Sequence, residues 1–259
     1  MSKFDQTSTS QENGAFVKKF ADKPSYMAEL NALRGLSGKG ITPEILKHDN
    51  NTRTLHIADA GITLRSLRVD QESRFSMTQL RSFASQLFRC LSELHAENFC
   101  HYDVKEDNIC VQGSIRNDGS LDLDQDFKVK LIDFGLSFKI DDIPQHYVGN
   151  KTLGTPVCRS PEHINGLPQY GQAADVFCAA ATVLQIIEDA PDAFPLAFGN
   201  PERQIKVAQE RVELHRSLKA ASGEIVPKDM QAVLFSMLHP DPKERPSSKT
   251  CYHLLGLAI

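Results

Sequence analysis

Tryptophan is absent from the 259 residues, and the first glycine is Gly14. Without the largest apolar ring, a core has to be assembled from the 14 Phe and the aliphatic residues. The six cysteines, at 90, 100, 110, 158, 178 and 251, include no C-x-x-C pair. That spacing excludes a zinc ribbon, and cysteines inside apolar segments predict buried free thiols rather than a disulfide framework. Basic residues are not in excess: 29 Lys and Arg stand against 33 Asp and Glu, for a net charge of −4. Nucleic acid and anionic lipid are therefore not expected partners. No apolar run reaches membrane-spanning length, and the polar start is unlike a cleavable signal peptide. The expectation is no membrane span and a cytoplasmic or otherwise intracellular protein, a host-cell interior included if the chain is an exported effector.

What is present suffices for one domain over 1–259: 41% hydrophobic and 24% charged residues are ordinary globular values. Asn13-Gly14 is a turn dipeptide, and Ala15 to Phe20 reads as a strand carrying Lys18 and Lys19. Pro24-Ser25 opens a helix, with Ser25 as N-cap or Pro24 near N1, and Glu29 lies on it. Ile41–Leu46 and Arg53–Ile57 predict a hairpin around His48 to Asn51, followed by Ala58-Asp59-Ala60-Gly61. From Ser76 to about Glu97, Leu80, Phe83, Leu87, Leu91 and Leu94 recur at helical spacing. Strands are expected at Ile109–Val111 and Val129–Ile132, separated by a polar insertion, 112–127. The insertion's Asp residues lack the spacing and terminal Glu of a calcium loop, so a solvated hairpin extension is expected. Ala173–Glu188 is a strongly apolar helix, and a charged helix is expected within 205–218.

Between these elements lie His101-Tyr102-Asp103-Val104-Lys105-Glu106-Asp107-Asn108, Asp133-Phe134-Gly135, Gly154-Thr155 through Ser160-Pro161-Glu162, Asp175-Val176-Phe177, and Asp241-Pro242-Lys243-Glu244-Arg245-Pro246-Ser247. In this order the stretches resemble the H-R-D-x-K-x-x-N loop, D-F-G, A-P-E, D-x-W and D-P-x-x-R-P-S landmarks of eukaryotic-type protein kinases. The resemblance covers nearly the whole chain and is strongest from about Leu87 to Leu255.

It implies an α+β, two-lobed fold: a small mainly β N-lobe over about 1–59, a hinge at 58–64, and a mainly α C-lobe over 65–259. It also implies ATP- and Mg2+-dependent phosphoryl transfer to Ser/Thr hydroxyls of a protein substrate. Asp103 corresponds to the catalytic base, Lys105 to the group steadying the γ-phosphate, and Thr155 to a substrate-loop residue. Asn108 and Asp133 correspond to the metal ligands. Lys18, which follows an apolar residue and has Phe20 two places on, stands at the lysine of V-A-I-K ahead of Lys19, and Glu29 at its helical partner. Ile57 is in the gatekeeper place, with Asp59 at the adenine-facing hinge. Asp175 corresponds to the anchor of the catalytic-loop backbone, and Glu162 with Arg245 to a structural ion pair. Three departures stand out: Tyr102 replaces the Arg of H-R-D, Phe177 the Trp of D-x-W, and only 14 residues precede the lysine strand, where the family has a glycine-rich loop. That short start leaves room for two rival readings, a partner-binding pseudokinase or a kinase needing an activating protein. A small-molecule kinase and an AMP-transferring enzyme are further alternatives.

Overall fold

Along Ala15–Lys19, Ala15 and Lys18 are both buried although they lie on opposite faces of the strand, and Lys19 is left in solvent. In the computed structural model, which describes residues 8–12, 15–155, 159–188 and 223–256, this strand (β2) is central to a four-stranded sheet. Its antiparallel neighbours are β1 (Ser8–Glu12) and β4 (Thr54–Ala58), with β3 (Ile45–Asp49) beyond β4. Phe16 faces Ile57 across the β2–β4 pair, and Lys18 faces Leu55.

Helix α1 (Lys23–Gly35) packs beside this sheet and buries Tyr26, Glu29, Leu30, Ala32 and Leu33. Its N-cap is Asp22, whose carboxylate accepts the Ser25 N–H at 2.8 Å. Ser25 is thus inside the first turn rather than the cap, because a carboxylate one step before the Lys-Pro start meets the orphan N–H first. The hairpin is shifted as well. Ile41 is fully buried outside any strand, its carbonyl accepting from Leu131 N at 2.9 Å, so β3 begins only at Ile45.

The chain leaves the sheet through Ala58 to Gly61, enters the short strand β5 (Ile62–Thr63), and turns directly into α2 (Leu64–Val69). Gly61 is required there: its φ is +100°, and a Cβ would lie 2.4 Å from Val111 O.

The rest is mainly helical. Helix α3 (Met77–Ala96) starts with a complete capping box between Ser76 and Gln79 and buries the predicted Leu/Phe stripe. Strands β6 (Phe99–Cys100), β7 (Ile109–Gln112), β8 (Lys128–Leu131) and β9 (Phe138–Lys139) form two small sheets, β5-β7-β8 and β6-β9. The insertion between β7 and β8 is more firmly anchored than a solvated hairpin. Leu121, Leu123 and Phe127 are buried, and Gln79 of α3 donates to Leu123 O at 2.9 Å. Its aspartates 122 and 124 are paired with Arg116.

After the short α4 (Pro161–Ile164), α5 (Gly171–Glu188) runs through the centre. By length and composition α5, with the turn before it, could cross a membrane, but 83% of that window is buried within the domain. A helix apolar on all sides is what a core position requires. Helices α6 (Lys228–Met237) and α7 (Ser248–Gly256) complete the helical part. The turn expected at Asn13-Gly14, Cys158, and the charged helix expected within 205–218 lie outside the described residues.

Candidate active site

The cleft between the sheet and the helical part is lined from above by Thr9, Phe16, Lys18 and Ile57. Its back is Ala58, Ala60 and Gly61, and its floor includes Asp107, Asn108, Cys110, Ile132 and Asp133. The cavity measures about 290 Å³. Asp59 does not line it: its side chain is exposed and accepts the Gly61 N–H at 2.8 Å, so its neighbours Ala58 and Ala60 face the cavity instead.

Lys18, not Lys19, reaches inward. Its Nζ lies 2.7 Å from both carboxylate oxygens of Glu29 and 3.1 Å from Asp133 Oδ1, over the Phe20 ring. Glu29 is 1% exposed, and burial pushes its carboxyl up to about 7 although the Lys18 ammonium opposes the shift. Burial also works against the Lys18 ammonium, yet Glu29 and Asp133 outweigh it and raise its pKa. For Asp133, burial would raise the carboxyl, but Lys18 draws it below the usual carboxylate range.

The catalytic-type loop is fixed from below. Asp175 of α5 accepts the backbone N–H of His101 at 2.7 Å and of Tyr102 at 2.8 Å, with His95 Nε2 at 3.1 Å from the same carboxylate. A buried carboxylate with three such partners is fully compensated. Tyr102 takes a left-handed φ of +66° and Asp133 one of +63°, conformations a non-glycine residue adopts only when its surroundings impose them. His101 Nε2 sits 3.0 Å from Ile132 O, bridging the two strained segments.

On that frame the polar groups converge. Asp103 Oδ1 accepts Thr155 N–H at 2.9 Å; Oδ2 lies 2.9 Å from Lys105 Nζ and accepts Asn108 Nδ2 at 3.1 Å. Lys105 Nζ also donates to Thr155 Oγ1 at 2.7 Å, tying the loop to the segment after Asp133. Burial opposes the Lys105 ammonium, but Asp103 outweighs it and the pKa rises, so it stays a cation at neutral pH. Asn108 turns its NH2 group to Asp103, which leaves its amide oxygen for a cation. No group of three or more His, Cys, Asp or Glu gathers among the described residues. The donor set of Asn108 and Asp133 thus suits magnesium, which uses one or two carboxylates and is completed by phosphate oxygens.

Farther from the cleft, Glu162 and Arg245 form a bidentate pair at 2.5 and 2.8 Å, both side chains essentially inaccessible. The guanidinium stacks over Phe177 with 4.9 Å to the ring centroid. A phenyl ring there thus fills a cation–π role that a Trp could serve. Residues that the motif reading missed include Thr9, Phe16 and Cys110 on the cleft, and the buried Arg68–Glu106 pair beneath the loop. Phe16 was available from strand alternation, two positions from Lys18 on the same strand.

Comparison with known families matches residues 17–254 to the protein kinase domain, so the chain belongs to the protein kinase family. Among similar proteins, the serine/threonine-protein kinase PAK mbt of Drosophila melanogaster is 28% identical over 67% of this chain and 24% of its own length. The serine/threonine-protein kinase MPS1 of Encephalitozoon cuniculi is 26% identical over 86% of this chain and 34% of its own. The dual specificity tyrosine-phosphorylation-regulated kinase 2 of Drosophila melanogaster is 34% identical, over 49% of this chain and 15% of its own. The first three relatives are each matched over less than half of their length, 24% to 44%.

Proposed function

We propose that the chain transfers the γ-phosphate of ATP, with Mg2+, to Ser or Thr hydroxyls of a protein substrate. The observation that carries the reading is the Asp103–Lys105–Thr155 cluster, with Lys105 Nζ touching both partners. Asp103 would take the proton of an incoming hydroxyl, and Lys105 would hold its ammonium over the transferring group. Lys18, oriented by Glu29, would meet the α- and β-phosphates, and Ile57 with the backbone at Ala58–Ala60 would border the base. Asn108 and Asp133 would hold the metal, which when bound neutralises phosphate charge. The Lys105–Thr155 contact favours a Ser/Thr acceptor over Tyr, because it sets the acceptor site close to the loop.

The second reading is a nucleotide- or partner-binding pseudokinase. An activating protein partner is compatible with both readings. The five cysteines among the described residues are buried free thiols, which suit a reducing, intracellular setting. The test is incubation with γ-labelled ATP, Mg2+ and a mixed protein substrate, followed by phosphoamino-acid analysis, beside Asp133→Ala. Label on Ser or Thr in the wild type alone supports the proposal. Label on Tyr alone, on a small molecule alone, or from α-labelled ATP assigns the chain to a different reaction.

A further inference from the structure

One buried ion pair has no part in the chemistry described so far. Glu106 begins the short 3-10 turn Glu106–Asn108, directly between Lys105 and the metal-side Asn108. It does not line the cleft. Its side chain is 8% exposed and meets the Arg68 guanidinium, itself 4% exposed. Arg68 belongs to α2, which Thr63 caps at the end of the connection from the sheet. Its second arm donates to Gln185 O of α5 at 3.2 Å. One guanidinium therefore joins three pieces: the helix next to the inter-lobe connection, the catalytic turn, and the helix whose Asp175 holds His101 and Tyr102.

Stability alone does not account for such a pair. Two charges taken out of water lose hydration that their attraction only partly restores, and an apolar pair of similar volume often does as well or better. What an apolar pair lacks is direction. The guanidinium fork fixes both the place and the rotation of the carboxylate it holds. The catalytic-type loop is held at its start by Asp175 through two backbone N–H groups, and Arg68 is the matching tie at Glu106, where the turn begins. Asp103 and Lys105 lie between the ties and Asn108 just past the second, and Asp103 is within hydrogen-bond distance of both Lys105 and Asn108.

We propose that Arg68 and Glu106 are a positioning pair for phosphoryl transfer, holding Lys105 and Asn108 in register with Asp103 and coupling that register to the inter-lobe connection. The inference rests on the kinase reading given above. It expects loss of the pair to lower turnover and the effectiveness of Mg2+ while sparing the binding of ATP to the sheet side of the cleft.

The experiment compares the full chain with Arg68→Met/Glu106→Leu and with Glu106→Gln, measuring melting temperature, kcat, KM for ATP, and the Mg2+ concentration giving half-maximal rate. The double variant is expected to melt near the wild type, yet to lose about 10-fold or more in kcat, since small misplacements are costly in an oriented site. Its KM for ATP should stay within about 2-fold, and its Mg2+ requirement should rise. A folded double variant with wild-type kcat and Mg2+ dependence overturns the proposal, and so does a loss confined to KM for ATP. If the double variant does not fold, Glu106→Gln decides: it keeps the shape and one hydrogen bond, so a lower kcat at unchanged melting temperature supports the pair, and an unchanged kcat overturns it. If the wild type transfers no phosphate, the kinase reading itself fails. The pair is then judged by calorimetry of ATP with Mg2+, where the variants should need more Mg2+ for the same affinity, and equal need overturns it.

Discussion

Asp133 and Asp103 differ in what surrounds them, and their substitutions should differ accordingly. Asp133 faces the cleft beside Lys18, whereas Asp103 is enclosed by Thr155, Lys105 and Asn108. Asp133→Ala is expected to cut phosphoryl transfer by more than about 100-fold and to weaken Mg2+-dependent ATP binding. Asp103→Ala should cut transfer similarly and leave that binding intact, because a base acts only on the acceptor hydroxyl. Calorimetry beside a rate assay separates the two, and full activity in either variant refutes its role. Glu29 makes a pH prediction. With its carboxyl raised from 4.5 to about 7, it takes up a proton as the pH falls through that value, and its pairing with Lys18 loses its charge. ATP affinity should therefore have an acid limb near 7, and Glu29→Gln should give a lower, flat response there. The stability sign is opposite. Between 4.5 and about 7 the folded state binds the Glu29 proton more tightly than the unfolded chain, so this group's contribution to stability declines as pH rises across that window. The raised Lys18 contributes stability that is lost only above its ordinary 10.5, and the lowered Asp133 stability that is lost only below 3.8, so neither titrates there. An acid limb that survives unchanged in Glu29→Gln would assign the titration elsewhere.

At the scale of elements, Glu162 and Arg245 connect α4 to the loop before α7, and Arg245 also donates to Ala173 O at 2.9 Å and His239 O at 2.7 Å. Glu162→Ala leaves a guanidinium buried without its counter-charge, a loss of about 3–5 kcal/mol. A clear drop in melting temperature is expected, while Glu162→Leu with Arg245→Met should recover much of it. An unchanged melting curve for Glu162→Ala would show that the pair is dispensable. These two residues were legible in the sequence because the chemistry near each demands a run of fixed neighbours, Ser160-Pro161 and Asp241-Pro242. Helix α3 was legible for another reason: its apolar stripe and its Ser76 cap act at the same positions. Where two local signals competed, as with Asp22 and Ser25 at the start of α1, only the folded backbone decided between them. Ile41 misled the strand assignment because burial came from a loop packed on β8, and burial alone carries no period. Arg68 and Glu106 stood 38 positions apart with no motif linking them, so their meeting depends on the docking of α2 and could not be read beforehand.

For the molecule as a whole, the open question is what orders the described residues 136–155 and 159 of the segment that Thr155 joins to Lys105 of the loop. Where Arg stands between His and Asp of the loop, a phosphate on this segment can pair with it. Tyr102 carries no charge, and its place in the fold shows another solution. Its ring stacks on His163 at 3.9 Å and on Tyr147 at 5.6 Å, and meets Phe138 edge-on at 5.1 Å. Burial, reinforced by the nearby Arg159 cation, lowers His163 to about 4, so the stack involves a neutral ring at physiological pH. The segment's own cation, Arg159, donates to the carbonyls of Lys151, Thr152, Leu153 and Gly154, at 2.5 to 3.1 Å. Rings and one arginine thus hold the described part of the segment against the loop through contacts that need no phosphate. Of the segment's hydroxyls, Ser137 and Tyr147 are buried and donate to Phe134 O and Leu136 O, and Thr155 is held by Lys105. Thr152 is the exposed one, bonded to Asn150. The prediction is that phosphatase treatment and Thr152→Ala each leave the transfer rate within about 2-fold of the untreated protein, whereas Tyr102→Ala, which opens the stack, lowers it by about 10-fold or more. Limited proteolysis within 141–155 should speed up in Tyr102→Ala and not in Thr152→Ala. A large loss of activity after phosphatase treatment, matched by Thr152→Ala, would show that a phosphate orders the segment after all.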